Sequence, residues 1–202
     1  MASARALSTP ALIGLVTLAA SAAMAWGYAE FGGWNAEGAG AAARYTARFA
    51  FPIFVLAWSA SALATLWPGG WRSVLLRRRR AIGLSFAAAH GVHFVALLIA
   101  VLLFASQPST KTVYGGGFGY VMIALMALTS NDWSVRKLGP RNWKALHTFG
   151  ALTIAVIFAV SYLGRLEDKP WLAIPTLALL GMAVTLKFAA WIKKRARRPV
   201  AA

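Results

Sequence analysis

Three histidines, His90, His93 and His147, combine metal-ligating chemistry with positions in or beside long apolar stretches of this sequence. An ionisable residue inside a bilayer is costly and is usually functional. Burial disfavours the imidazolium ion and keeps the ring neutral, which is the form that ligates a metal. Because His90 and His93 are three residues apart, they lie on roughly one face of a helix, about 4.5 Å apart along its axis.

The spacing leaves three alternatives for these rings. They donate hydrogen bonds to carbonyl groups of neighbouring helices, or one imidazole from each of two helices binds a haem, or the imidazoles bind a copper or zinc ion. Depth in the membrane favours His90 as the partner of His147. His90 lies ten residues past Arg80 and His93 lies thirteen, whereas His147 lies only three residues past Lys144.

The acidic residues and the absence of cysteine exclude other chemistry. All five carboxylates fall in predicted loops, so none is expected at the membrane midplane, where ion-coupled transporters keep theirs. They are Glu30, Glu37, Asp132, Glu167 and Asp168. Without cysteine the chain forms no disulfide, iron–sulfur cluster or thiolate zinc site. Histidine therefore remains as the residue type that can act as a metal ligand.

The elements that must hold these histidines are membrane-spanning helices. The 202 residues are 59% hydrophobic and 13% charged, and their mean hydropathy is +0.63. A helix needs about 20 apolar residues to cross a bilayer. Six stretches qualify, of which the fourth is the weakest: 10–28, 49–67, 81–106, 113–130, 145–163 and 171–190. The sequence predicts an all-α integral membrane bundle of six helices, forming a single transmembrane domain over residues 1–202.

The basic residues predict the orientation of this bundle. With the N-terminus inside, sixteen of the 21 Lys and Arg residues fall on the inner side and five on the outer side. This distribution predicts two cytoplasmic termini and a basic cytoplasmic tail at 191–202. It also places the residues that give the net charge of +16 in clusters beside membrane spans. This pattern is typical of a membrane protein rather than of a nucleic-acid-binding protein. Residues 1–25 are alternatively a cleaved secretory signal, and the Ala-rich segment 38–43 is expected to be a flexible connector.

Two segments of the sequence match the motifs of a known family. They are Arg79-Arg80, Gly83-Leu84 and His93 before and within the third span, and Thr129-Ser130, Arg136-Lys137-Leu138-Gly139, Trp143 and Leu146-His147 before and within the fifth. Over about residues 35–165 the chain resembles the ferric-reductase-like transmembrane domain family. Within it, the chain is most similar to the haem-binding membrane subunits (MsrQ/YedZ-like) of bacterial periplasmic methionine sulfoxide reductase systems.

The resemblance implies one haem b as the cofactor. Its axial ligands would be His147 together with His90 or His93, and the family motif favours His93 where depth favours His90. Haem propionates need cationic partners, and Arg80 and Lys144 are the candidates for that role.

The sequence departs from the family at Val160. The family carries a second histidine thirteen residues after the histidine that matches His147, and Val160 stands at this position. The outer pair of haem ligands therefore cannot form in the usual way. Two functions remain: a b-type haem protein, or a haem-free six-helix membrane scaffold or accessory subunit that has lost full haem ligation.

The resemblance also implies a location and partners. It places the chain in the bacterial inner membrane, surrounded by membrane lipid. Electrons would come from a separate flavin reductase or from quinol, and would leave to a redox partner protein at the outer face. Because the sequence shows no dinucleotide-binding fingerprint, it is expected to be at most the electron-transfer subunit of a multi-component oxidoreductase.

Overall fold

The computed structural model of the chain describes residues 7–197, and of Lys111 only the backbone. Within these residues the secondary structure consists of six α-helices and no strand. The helices are α1 (Thr9–Glu30), α2 (Ala36–Leu66), α3 (Gly70–Leu102), α4 (Thr110–Leu128), α5 (Asp132–Leu163) and α6 (Pro170–Ala196). The predicted all-α fold of six helices is confirmed. The cytoplasmic position of both termini stays a prediction, and Arg5, Arg198 and the end of the predicted tail lie outside the described residues.

The helices are suited to a lipid environment. Five of them (α1, α2, α3, α5 and α6) are long and apolar enough to cross a bilayer, and α4 is shorter, as its sequence predicts. Large apolar side chains such as Leu18, Val156 and Phe188 are exposed along the helices. Soluble proteins rarely expose so much contiguous apolar surface. The chain is therefore a multi-pass membrane protein.

The first of two compact units contains residues 7–54 and 81–113, which include α1, the first part of α2 and most of α3. Gly27 of α1 lies so close to α2 that a Cβ atom at this position would be 2.5 Å from the backbone nitrogen of Ala42. Small residues allow this close approach of two helices. The flexible connector predicted at residues 38–43 is wrong, because the segment is helical and packed, with Ala39, Ala41 and Ala42 fully buried. Alanine has the highest helix propensity of all residues.

The second compact unit contains residues 55–80 and 114–197, which include the end of α2, the start of α3, most of α4, and all of α5 and α6. Glycines again bring helices together within this unit. A Cβ atom on Gly119 of α4 would lie 2.7 Å from Cδ1 of Ile157 in α5, and one on Gly150 of α5 would lie 2.8 Å from Sδ of Met126 in α4. Helices α4 and α5 therefore pack closely along their length.

A kink divides α5 near its start. Gly139 has φ 75° and ψ 150°, a conformation that residues with a Cβ rarely adopt, and Pro140 follows it. Before the kink, Asp132 accepts a hydrogen bond of 2.6 Å from Nη2 of Arg80. Asp132 lies outside the predicted span 145–163, and this hydrogen bond lowers the pKa of its carboxyl group. The kink separates this polar first segment from the apolar helix that follows.

The prediction that all carboxylates lie in loops is wrong for three of them. Glu30 is the last residue of α1, and Glu37 and Asp132 lie in the first turns of α2 and α5. Hydropathy detects only the apolar part of a helix, and acidic residues are stabilised in a first turn by the helix dipole. All five carboxylates nevertheless lie at helix ends or in the turn after α5, so none occupies the middle of a span.

Candidate functional site

His93 of α3 is held by a buried threonine of α2 in the first unit. The Oγ1 atom of Thr46 lies 3.1 Å from Nδ1 of His93, and also 2.8 Å from the carbonyl oxygen of Ala42 and 3.0 Å from that of Ala43. The hydroxyl proton is donated to these carbonyls, so the oxygen accepts a hydrogen bond from Nδ1–H of His93. Ala43 is a further backbone hydrogen-bond partner of the ring. This tautomer leaves the lone pair on Nε2, the arrangement found in metal-ligating histidines.

His90 lies one turn before His93 and has apolar surroundings. Its ring centroid is 4.6 Å from that of Phe86, which in turn lies 5.3 Å from the ring of Phe54. The rings of His90 and His93 are 5.4 Å apart and nearly perpendicular. His90 is therefore buried beside aromatic rings.

His147 of α5 belongs to a different cluster, in the second unit. Its Nε2 atom lies 3.0 Å from Oγ1 of Thr129. The Thr129 hydroxyl lies 2.6 Å from the carbonyl oxygen of Leu125 and donates its proton there, so it accepts from Nε2–H of His147. The Trp143 ring stacks on His147 at 4.1 Å, and its Nε1–H donates to the Thr129 carbonyl at 2.8 Å. These contacts tie α5 to the end of α4, and ligation through Nε2 requires the ring to leave Thr129.

Arg80 and Lys144, the two cations predicted to bind propionates, lie in different environments. Arg80 forms the ion pair with Asp132 described above. Lys144 is exposed and lines an open groove of about 420 Å³ on α5. The groove is lined by Arg141, Lys144, Ala145, Thr148, Phe149 and Leu152. Their assignment to haem propionates stays a prediction.

Val160, the position of the second family histidine, is directed away from the protein interior. Its side chain is 64% exposed, whereas Tyr162 two residues later is 7% exposed. A histidine in place of Val160 would therefore project from the exposed side of α5.

Two residues of interest were missed from the sequence. Thr46 lies outside the predicted second span, and nothing in the sequence pairs it with His93. Lys187, counted with the basic residues of the inner side, lies within α6 instead, half-buried, with its Nζ atom 4.9 Å from the ring centroid of Trp58. The signal for Lys187 was its position inside the predicted span 171–190, where ionisable residues are rare.

A simple metal-ion site receives no support from the arrangement of ligands. Among residues 7–197, no group of three or more His, Cys, Asp or Glu side chains is placed so that it could hold a metal ion.

The helices define an all-helical, multi-pass membrane protein with three histidines inside its long apolar helices. Known proteins with a similar sequence include haem-binding subunits. The chain is 35% identical over 111 residues to the protein-methionine-sulfoxide reductase heme-binding subunit MsrQ of Brucella ovis, and equally to those of Brucella canis and Brucella suis. The predicted resemblance to MsrQ-like membrane subunits is confirmed.

The match covers part of each protein. It includes 51% of this chain and 48% of the relatives, so the chain spans about half the length of the curated relatives it matches. No family model matches the chain. No solved structure matches it either.

Proposed function

We propose that the chain is a haem-binding membrane subunit that carries electrons across a membrane between separate redox partners. The observation that carries the proposal is the hydrogen bond from Nδ1–H of His93 to Thr46, which leaves Nε2 of His93 as an electron-pair donor. The relatives' printed description as heme-binding subunits supports the same function.

The cofactor in this proposal is one haem b. A haem iron with two imidazole ligands has no open coordination position, so it transfers electrons without activating a substrate. The residues of this chain bind and tune that group. Thr46 and Ala43 orient the His93 ring and increase its basicity, and the aromatic side chains of Phe86 and Phe54 keep water from the neighbouring His90.

The surroundings of His93 and the family motif support a ligand assignment. His93 is the proposed ligand on α3, with His90 as the alternative, and His147 is the proposed second ligand. Ligation by His147 costs its hydrogen bond to Thr129, a net loss of about 1 kcal/mol. That cost weakens binding without preventing it.

The partners and the location of this subunit are parts of the same proposal. The membrane is the bacterial inner membrane, with both termini in the cytoplasm. The donor is a flavin reductase or quinol, and the acceptor is a redox protein at the outer face. Basic residues near the start of α3, Arg77 to Arg80, give the proposed cytoplasmic side a charge that suits an acidic donor protein.

A haem-free scaffold is the second candidate function, favoured by two observations. His147 already has a hydrogen-bond partner for Nε2 and a stacking partner in Trp143. Val160 supplies no ligand and faces outward. In this alternative the histidines act only as packing and hydrogen-bonding residues.

The absorption spectrum of the detergent-purified protein separates the two candidates. The oxidised and dithionite-reduced protein should show a b-type spectrum, with about one haem per chain in a pyridine haemochrome assay. Protein without a Soret band, purified from cells supplied with a haem precursor, would rule out the haem function and favour the scaffold.

A further inference from the structure

The open groove on α5 has a charged end and an apolar end. Arg141 and Lys144 lie in the first turns after the Gly139–Pro140 kink, and Phe149 and Leu152 lie further along the helix. All four side chains are exposed. From Arg141 to Leu152 the helix rises roughly 16 Å, which is close to one leaflet of a hydrocarbon core about 30 Å thick. The groove therefore runs from the edge of the bilayer to about its middle.

The two cations of the groove have no acidic ion-pair partner within residues 7–197. Neither Arg141 nor Lys144 forms an ion pair among residues 7–197, where Arg80 and Asp132 make the observed pair. The kink places both cations where the apolar part of α5 begins, and the end of an apolar span is expected at the level of lipid headgroups. A cation at that level interacts favourably with a negatively charged headgroup.

The apolar end of the groove has a defined wall. The Phe149 ring contacts the Phe118 ring of α4 edge to face, with their centroids 6.4 Å apart. Leu152 continues this wall one turn further. A ligand that fills the groove must therefore carry a negative charge at one end and an aliphatic chain at the other.

We propose that this groove binds an anionic phospholipid. Arg141 and Lys144 pair with its phosphate, and its acyl chain lies along Phe149 and Leu152. This role of Lys144 differs from pairing with a haem propionate, and it does not depend on whether the protein binds haem.

The test is retention of phosphatidylglycerol by the purified protein. The protein is reconstituted in vesicles of phosphatidylcholine containing phosphatidylglycerol, re-extracted in mild detergent, and examined by native mass spectrometry. The variant Arg141→Gln with Lys144→Gln is compared with the control Arg136→Gln with Lys137→Gln, which removes two exposed cations just before the kink. The groove variant should retain about thirtyfold less phosphatidylglycerol, which corresponds to about 1 kcal/mol for each direct contact with the phosphate. The control should change retention less than twofold.

A second variant keeps the test decisive if the double substitution impairs folding. Leu152→Ser leaves the charges in place and shortens the apolar end, so it should also reduce retention of phosphatidylglycerol. Equal losses in the groove variant and the charge control would show general attraction to the anionic surface and overturn the proposal. Displacement of the lipid by soluble glycerol phosphate at equal concentration would show a headgroup site without a chain site, which also contradicts it. A shift in haem midpoint potential in Lys144→Gln with unchanged lipid retention would assign Lys144 to a propionate instead.

Discussion

The hydroxyl oxygen of Thr46 lies 3.1 Å from Nδ1 of His93, and the proton of this hydroxyl points to the carbonyl groups of Ala42 and Ala43. With this proton donated to the carbonyls, the oxygen accepts from the His93 ring, an arrangement that corresponds to the neutral imidazole protonated on Nδ1. Thr46 is fully buried, so water does not compete for this contact. His93 has the geometry of an orienting hydrogen bond behind a metal ligand, whereas His147 uses its Nε2 atom within the protein.

Thr46→Val is expected to weaken haem binding without abolishing it. The substitution keeps the shape of the side chain but removes the oxygen that accepts from His93, so the ring loses its fixed tautomer. Loss of such an orienting partner lowers metal affinity by about 10- to 100-fold. The reduced basicity of His93 should also raise the midpoint potential by tens of millivolts, where about 59 mV corresponds to a tenfold change for one electron. Haemin titration of the apoprotein and a redox titration measure the two effects.

Thr46→Ser is the matched control for that experiment. It retains the hydroxyl oxygen and should keep both haem affinity and potential close to those of the parent protein. Equal behaviour of the valine and serine variants would show that the hydrogen bond to His93 has no part in haem binding.

Thr129→Val is expected to have the opposite effect on haem affinity. The bond from Nε2–H of His147 to Thr129 competes with ligation by His147. Its removal destabilises only the haem-free state, by about 1 kcal/mol, so haem affinity should rise about fivefold. Haemin titration checks this, with Thr129→Ser as the control that keeps the acceptor. An unchanged affinity would indicate that His147 is not a ligand, and a weakened affinity would contradict the competition.

Much of the fold could be predicted from the sequence, because the bilayer imposes a length and an apolar composition on each span. Helix ends beyond the bilayer carry no such signal, which is why the helical segment 38–43 was mistaken for a connector. The candidate site also has one part that the sequence predicts and one part that it does not. The presence of His93 in a span can be read from the sequence, but its bond to Thr46 depends on how α2 and α3 are rotated against each other within the first unit. No periodicity in one helix specifies that rotation.

Val160→His should not create a second haem site. The Val160 side chain is 64% exposed, so a histidine there would face lipid. We expect the haem-to-protein ratio to equal that of the parent protein and that of the control Val156→His, one turn earlier and also exposed. The pyridine haemochrome assay measures this ratio. A doubling in Val160→His alone would show that α5 rotates when haem binds, and it would refute the assignment of position 160 to the exposed side.

Gly27→Ala tests the packing of the first unit independently of any cofactor. The new Cβ atom would lie 2.5 Å from the backbone nitrogen of Ala42, and backbone cannot move aside as a flexible side chain can. Overpacking of this kind typically costs about 1–3 kcal/mol. Gly14 of the same helix has open space around it, so Gly14→Ala should be neutral or stabilising by up to about 1 kcal/mol. Thermal unfolding followed by circular dichroism in detergent compares the two, and equal melting temperatures would contradict the close contact of α1 and α2.

The most direct test of the central claim is the haem-to-protein ratio of His93→Ala and His90→Ala, measured by pyridine haemochrome beside the parent protein. The two histidines lie one turn apart on the same helix, and His93 is the one whose Nδ1 proton is held by Thr46. We expect about one haem per chain in the parent protein and in His90→Ala, and loss of the b-type spectrum in His93→Ala. A b-type spectrum that survives in His93→Ala and disappears in His90→Ala, or a colourless parent protein, would contradict it.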